Sequence, residues 1–168
     1  MYEIGELIIY GNTGVCKVEE IGPLNMSGIK NSKIYYTLKP IYQDGKIFTP
    51  IDTNVFMRSI VSYEEVHNLI NLIPSINETL IGNKNLREIE EYYKTFLETH
   101  NCLDIITLVK LLDEKKENSL ADKKKPSQID EKFRSIAENL INEEFSIVLG
   151  IQREEVADYI AKNIDNRI

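Results

Sequence analysis

The spacing of apolar and polar residues changes close to residue 62. Before that point, short runs rich in Ile, Val, Tyr and Thr alternate with turns built from Gly, Pro, Asn and Asp, a pattern typical of β-strands. After it, apolar residues recur every three or four positions, which is the spacing of one helix face. We therefore predict an α+β protein of two domains, covering residues 1–61 and 62–168.

The first part contains five predicted strands. They cover residues 7–10, 15–20, 33–38, 46–50 and 54–61. Strands this short bury their side chains well only when the sheet curls on itself. We therefore expect a small SH3-like or Tudor-like β-barrel.

The second part is predicted to be an all-α bundle of about five helices. Ser62 and Glu65 have the spacing of a capping box, and the first helix ends before Pro74. A long fourth helix follows Ser127, and Gly150 is predicted to end it. The lysine-rich stretch 118–126 is predicted to be a solvated loop. The second, third and fifth helices are expected at about 85–99, 103–117 and 153–164.

Charge is distributed unevenly between the two parts. The chain has 168 residues and a net charge of −7, an ordinary composition for a soluble protein. Residues 1–62 carry six basic and six acidic side chains, so the whole net charge falls on the helical part. A helical domain that binds duplex DNA chiefly through charge shows the opposite balance. The acidic helices therefore weaken a simple DNA-binding interpretation.

Neither a membrane span nor a disulfide framework is indicated. The longest apolar stretches, 7–10 and 105–112, are far shorter than the roughly 20 residues that a span requires. Acidic residues stand where a signal peptide carries basic ones, so we expect a cytoplasmic protein, and a monomer. Cys16 and Cys102 lie far apart without metal-ligand spacing, so both are expected to be buried apolar residues.

Catalytic chemistry finds no support in the motifs. The acidic pairs Glu64/Glu65, Glu90/Glu91 and Glu143/Glu144 are the only basis for an enzyme hypothesis. Adjacent residues on a helix point in different directions, so solvated helix faces explain these pairs better. We expect neither enzyme activity nor a metal or cofactor.

One predicted strand has the features of an exposed sheet edge. Residues 46–50 contain Phe48 and end at Pro50, and proline is tolerated only at a sheet edge or a strand end. An exposed apolar edge favours the addition of a strand from a partner protein. The first domain is therefore a candidate protein-interaction module.

Several motifs resemble those of the CarD/CdnL family of bacterial transcription regulators. The opening residues 5–10 with Gly14, Val15 and Val18 are similar to the start of that family. The transcription-repair coupling factor shares this first module, but the chain contains no helicase motif. Further similar segments are residues 35–40 and 50–52, Arg87, residues 91–94, 137–144 and 157–164.

The resemblance implies a function in transcription initiation. Family members bind the RNA polymerase β subunit through the Tudor-like domain, and their helical domain lies against promoter DNA at the upstream edge of the open bubble. On this basis the chain is expected to bind the β subunit and to modulate open-complex stability. The residues assigned to polymerase binding are Tyr36, Leu38, Lys46, Phe48 and Pro50.

The DNA contact is expected to be weak. The family commonly inserts a Trp near the start of the second helix into the minor groove, and this chain has no Trp. Ile81 or Gly82 occupies that region, and an inserted Ile is a smaller wedge. The residues assigned to DNA contact are Ile81, Arg87, Lys94, Lys132 and Arg134.

An alternative hypothesis is an adaptor that binds polymerase and has lost the DNA contact. The acidic helices and the missing Trp favour it. DNA binding instead requires the basic side chains of the helices to share one surface. The sequence leaves open activation or repression, the target promoters and the oligomeric state. The side chains that must share this surface are Lys94, Lys110, Lys115, Lys116, Lys132 and Arg134.

Overall fold

The computed structural model describes residues 1–25, 32–79 and 84–165. The chain divides into two compact units, Met1–Ile60 and Val61–Ile168. We call the first the sheet unit and the second the helical unit.

The sheet unit contains five antiparallel strands. They are β1 (Leu7–Tyr10), β2 (Gly14–Gly22), β3 (Tyr35–Pro40), β4 (Ile47–Pro50) and β5 (Met57–Ser59). Their order in the sheet is β4-β3-β2-β1-β5, so the last strand returns beside the first. The five predicted strands and the α+β class are confirmed, whereas closure into a barrel stays a prediction.

Two strands depart from regular pairing. The register between β2 and β3 shifts between Val18 and Glu20, as in a β-bulge with Glu19 as the extra residue. β5 is shorter than the predicted 54–61, because the backbone outside it makes only isolated bonds. One of these runs from the Gly11 N–H to the Phe56 carbonyl, at 2.8 Å.

The core of the sheet unit lies on one face of the strands. Thr49 belongs to this inner face and is almost fully buried, and the Tyr10 hydroxyl donates to its Oγ1 at 3.2 Å. Because side chains alternate along a strand, the neighbouring Phe48 points to the opposite, outer face. The buried apolar residues of this core are Ile8, Cys16, Val18, Tyr36 and Leu38.

The helical unit contains five α-helices. They are α1 (Tyr63–Leu72), α2 (Leu86–Glu98), α3 (Cys102–Ala121), α4 (Gln128–Leu149) and α5 (Val156–Asp165). Short 3-10 turns, Ile73–Ser75 and Arg153–Glu155, follow α1 and precede α5. The predicted number of helices is confirmed. Within the described residues, no helix combines the length and the apolar character that crossing a membrane requires.

The helix ends follow the expected capping chemistry. The Ser62 Oγ accepts from the Glu65 N–H at 3.1 Å, and the Glu65 carboxylate accepts from the Ser62 N–H at 2.6 Å. This confirms the predicted capping box. Gly150 adopts a left-handed conformation with φ of 68° and ends α4, as predicted.

The predicted loop 118–126 is too long. α3 continues to Ala121, because Leu120 and Ala121 are good helix formers and no helix breaker precedes Asp122. The exposed lysine run therefore begins just after the helix, with Lys123 at a positive φ of 56°.

The helices enclose one apolar core, to which α3 and α4 contribute most of the buried side chains. Cys102 is buried there and Cys16 in the sheet unit, as predicted, and neither forms a disulfide. The Glu144 carboxylate is also buried: it accepts from the Val61 N–H at 3.0 Å and from the Cys102 thiol at 3.3 Å.

Candidate protein-interaction surface

The strand β4 lies at one end of the sheet order, and the structure describes a partner strand on only one of its sides. The Ile51 N–H donates to the Ile34 carbonyl at 3.1 Å, which fixes where the bonded pairs fall. Bonded and non-bonded pairs alternate in an antiparallel ladder. The register is Tyr35 with Pro50, Tyr36 with Thr49, Thr37 with Phe48 and Leu38 with Ile47.

This alternation determines which backbone groups of β4 point away from β3. Ile47 and Thr49 direct their N–H and C=O groups to β3, so Phe48 and Pro50 direct theirs outward. Pro50 has no N–H. An incoming strand therefore meets one donor, the Phe48 N–H, and two acceptors, the carbonyls of Phe48 and Pro50. These groups suit a short added strand centred on Phe48.

Phe48 combines this free edge with exposed apolar surface. Its side chain is 52% exposed on the outer face of the sheet. Ile34 and Ile51, which pair just beyond the ends of β3 and β4, are exposed as well. Edge strands that avoid pairing usually carry charged residues at such positions. This edge instead presents an aromatic ring.

A groove runs beside Phe48 on the outer face. Phe48 pairs with Thr37, and Thr37 pairs with Glu20, so these three side chains form one row across three strands. Thr37 is only 6% exposed, because it forms the floor between two taller walls. The groove has a volume of about 290 Å³ and is lined by Glu20, Ile21, Gly22, Pro23, Leu24, Asn25, Thr37 and Phe48.

Lys46, assigned to polymerase binding, is already paired. Its ammonium group lies 2.8 Å from the Glu19 carboxylate. The hydrogen bond lowers the pKa of Glu19 and raises the pKa of Lys46. Both side chains remain in contact with solvent, so the pair is exchangeable and Lys46 stays available at the edge.

Tyr36 and Leu38 do not lie on this surface. Leu38 is fully buried and Tyr36 is 3% exposed. The Tyr36 hydroxyl accepts from the Tyr2 N–H at 3.1 Å inside the unit. The assignment of their side chains as direct contacts is therefore corrected: they support β3 from the core. Pro50 is half-buried at the end of the edge.

The basic residues assigned to α2 are paired along the helix. Arg87 lies 3.2 Å from Glu91, and Lys94 lies 3.1 Å from Glu90. Both pairs are exposed and i,i+4 in spacing. Such pairs neutralise the positive charge that a phosphate contact needs.

The assigned residues of α4 differ from each other. Arg134 is held between Asp113 and Glu138, and these carboxylates raise the pKa of Arg134. Lys132 is exposed, lies 5.7 Å from the Phe133 ring centroid and forms no ion pair with any described residue. Ile81 lies outside the described residues.

The other lysines that a DNA surface requires are also engaged. Lys110 turns inward and donates to the carbonyls of Ile73 and Ile76 at 2.9 and 2.6 Å. Lys115 is paired with Asp130 and Lys116 with Glu131. Lys132 is therefore the member of the predicted basic surface that has no acidic or carbonyl partner in the described part of the chain.

Most residues of the acidic pairs have structural partners. Glu65 caps α1, Glu90 and Glu91 form the ion pairs of α2, and Glu143 lies 3.5 Å from Arg153. Burial raises the pKa of Glu143. Across residues 1–25, 32–79 and 84–165, no three His, Cys, Asp or Glu side chains form a group suited to a metal ion.

The sequence pattern does not place Glu20 and Thr37 beside Phe48. Only the register of β2 on β3 brings them into a row with Phe48. The bulge at Glu19 shifts that register by one residue, which a simple alternation pattern does not reveal. The single available signal was the adjacent acidic pair Glu19 and Glu20 within a strand.

The fold and this edge define a small antiparallel-sheet domain with an exposed apolar residue on its edge strand. Residues 2–61 match the family model of the CarD-like/TRCF RID domain, so the sheet unit is similar to that domain. The match stops where the helical unit begins. No curated protein matches the chain.

Proposed function

We propose that this protein is a CarD-like transcription regulator that binds the β subunit of bacterial RNA polymerase through β4. The observation that carries the proposal is the exposed Phe48 on an edge with no further strand beside it in the described residues, within a domain that matches a polymerase-interacting family. The contact joins an added strand of the β subunit to the backbone of Phe48 and Pro50. Phe48 then supplies the apolar anchor, since aromatic residues dominate binding energy at interfaces.

The helical unit modulates the stability of the open complex in this proposal. Binding to polymerase tethers the unit, and a tether raises its effective concentration near the promoter to about the millimolar range. At that concentration a weak contact to phosphate is sufficient. Lys132, exposed and without an ion pair in the described residues, is the first candidate for this contact.

An adaptor that binds polymerase without touching DNA is the second candidate function. It is favoured by the ion pairs of Arg87, Lys94 and Arg134, which leave little positive charge free on the helices. The net charge of −7 and the absence of Trp agree with it.

Neither candidate includes catalysis or a cofactor. Most of the acidic residues that motivated an enzyme hypothesis serve as helix caps, hydrogen-bond acceptors or ion-pair partners. We propose that the protein acts by binding alone, in the cytoplasm, where polymerase works.

A binding assay with the full chain and purified β subunit tests the polymerase contact. Phe48→Asp places a charge into the apolar contact and is expected to cost a few kcal/mol, enough to abolish a micromolar interaction. Ile4→Asp is the matched control, because Ile4 is an exposed apolar residue of the same unit. Normal binding by folded Phe48→Asp overturns the proposal.

A further inference from the structure

The groove beside Phe48 has one charged wall. Glu20 lies on the outer face of β2 and is exposed, and none of the described residues forms an ion pair with it. Its neighbour Glu19 is different, because Lys46 holds it. The groove therefore has a carboxylate without an ion-pair contact on one side and an aromatic ring on the other, and the charge of Glu20 also helps to raise the pKa of Lys46.

The width of the groove follows from the strand spacing. Glu20 and Phe48 are separated by the single strand β3, and two strand spacings place their backbones about 10 Å apart. Thr37 between them is short. A planar or linear cationic side chain fits this gap, with its head at Glu20 and its face or stem against the Phe48 ring.

We propose that this groove binds a basic side chain of the partner, preferably an arginine. Arginine suits both walls, since guanidinium groups stack on aromatic rings and form paired hydrogen bonds with carboxylates. The inference rests on the proposed binding of the β subunit and specifies a second contact within it. The partner surface therefore carries a cation that enters the groove over the outer face of the sheet.

The basic side chain comes from a segment other than the added strand. A strand paired to β4 lies three strand spacings from β2, which is about 14 Å, farther than one side chain spans to reach Glu20. The partner segment must therefore cross the outer face. Lys17 and Lys39 form a cross-strand pair beyond the row of Glu20, Thr37 and Phe48, so positive charge at that end of the face directs the cation toward Glu20.

Binding of full-length variants to the isolated polymerase β subunit tests this inference. Glu20→Gln is expected to weaken binding about tenfold, as for the loss of a charge-assisted hydrogen bond, and Glu20→Lys more strongly. Glu3→Gln is the matched control, because it removes the same charge from an exposed position of the same unit. Added salt is expected to weaken the wild type more than Glu20→Gln.

A double variant shows whether the two walls act on one group. Phe48→Leu keeps an apolar edge and removes the ring. If one cation contacts both walls, the losses from Glu20→Gln and Phe48→Leu are not additive. Reversing the responsible basic residue of the β subunit to Glu is expected to restore binding to Glu20→Lys.

The outcomes separate this inference from the proposed function. If Glu20→Gln and Glu20→Lys bind as tightly as Glu3→Gln while Phe48→Asp does not bind, the groove inference is wrong and the edge contact stands. If Phe48→Asp binds normally, the edge contact itself is wrong.

Discussion

The Tyr93 hydroxyl donates a 2.7 Å hydrogen bond to Oδ1 of Asp130, and Lys115 contacts both oxygens of the same carboxylate at 3.0 and 2.8 Å. Tyr93 is fully buried and Asp130 nearly so. Burial, and then the bond to Asp130, raises the pKa of Tyr93. This cluster joins α2, α3 and α4 through polar groups at the edge of the apolar core.

Asp130→Asn is expected to lower the free energy of unfolding of the helical unit by about 2 to 4 kcal/mol. The change leaves the half-buried Lys115 without its counter-charge, and breaking a buried pair is costly. Glu131→Gln is the control, because its pair with Lys116 joins the same two helices in solvent and contributes at most about 1 kcal/mol. Chemical denaturation followed by helical circular dichroism measures both.

Equal losses for Asp130→Asn and Glu131→Gln would contradict the structural role of the cluster. In that case the buried pair of Asp130 with Lys115 contributes no more stability than the exposed pair of Glu131 with Lys116.

Leu38→Ala is expected to separate stability from partner contact. Leu38 is fully buried, so its truncation leaves a cavity and costs about 2 to 5 kcal/mol of stability. Phe48→Ala removes exposed surface and is expected to change stability by less than about 1 kcal/mol while weakening polymerase binding. Denaturation is expected to show Leu38→Ala as the less stable of the two variants. A binding assay is expected to show Phe48→Ala as the weaker binder.

A stable Leu38→Ala variant that fails to bind polymerase would restore Leu38 as a contact residue. The same variant, if destabilised but able to bind at low temperature, supports its place in the core.

Alkaline pH is expected to weaken the helical unit through Tyr92. Burial, with a smaller effect from its hydrogen bond to Glu78, raises the pKa of Tyr92 to about 12, from the ordinary 10.0. A raised pKa means that the folded state retains the proton, so this contribution is complete below pH 10 and is lost as pH rises toward 12. Ultraviolet titration of tyrosinate, with unfolding measured over the same range, tests this.

Two variants check the assignment to Tyr92. Tyr92→Phe removes the hydroxyl group whose pKa is raised. The free energy of unfolding is therefore expected to fall less steeply with rising pH. Glu78→Gln lowers the pKa of Tyr92 without bringing it back to the ordinary value, since burial is the larger cause. Unchanged titration curves for both variants contradict the prediction.

Naked duplex DNA is expected to bind the isolated protein too weakly for a gel shift. The helical part carries the net charge of −7, and most of its candidate cations are paired, so few phosphates are neutralised. With polymerase present, the open-complex lifetime is expected to change, and Lys132→Ala is expected to reduce that change more than Lys94→Ala. Lys94 is the matched control, because Glu90 already neutralises it.

Tight, salt-sensitive binding to naked DNA contradicts the first expectation. An unchanged open-complex lifetime with bound protein contradicts the second and favours the adaptor function.

The sequence by itself determined the number of strands and helices and some of their ends. Strand β1 was predicted with its observed bounds, and the Ser62–Glu65 box and Gly150 were correctly identified as a helix start and a helix stop. These features depend on hydrogen bonds and backbone preferences within a few residues of one another. Interactions of this kind can be predicted from the sequence, because all the groups involved are close together in the chain. The sequence also pointed to Phe48 as an exposed edge residue, because Pro50 limits where its strand can lie.

Only the tertiary structure decided which side chains share a surface. Leu38 and Phe48 belong to neighbouring strands with similar composition, yet one is buried and the other is exposed, because register assigns each residue to a face. Lys110 turns inward to distant carbonyls, and Glu20 joins Phe48 across β3. These placements depend on contacts between residues far apart in the chain. Such contacts form only when the strands pair and the helices pack, so no local pattern of residues encodes them.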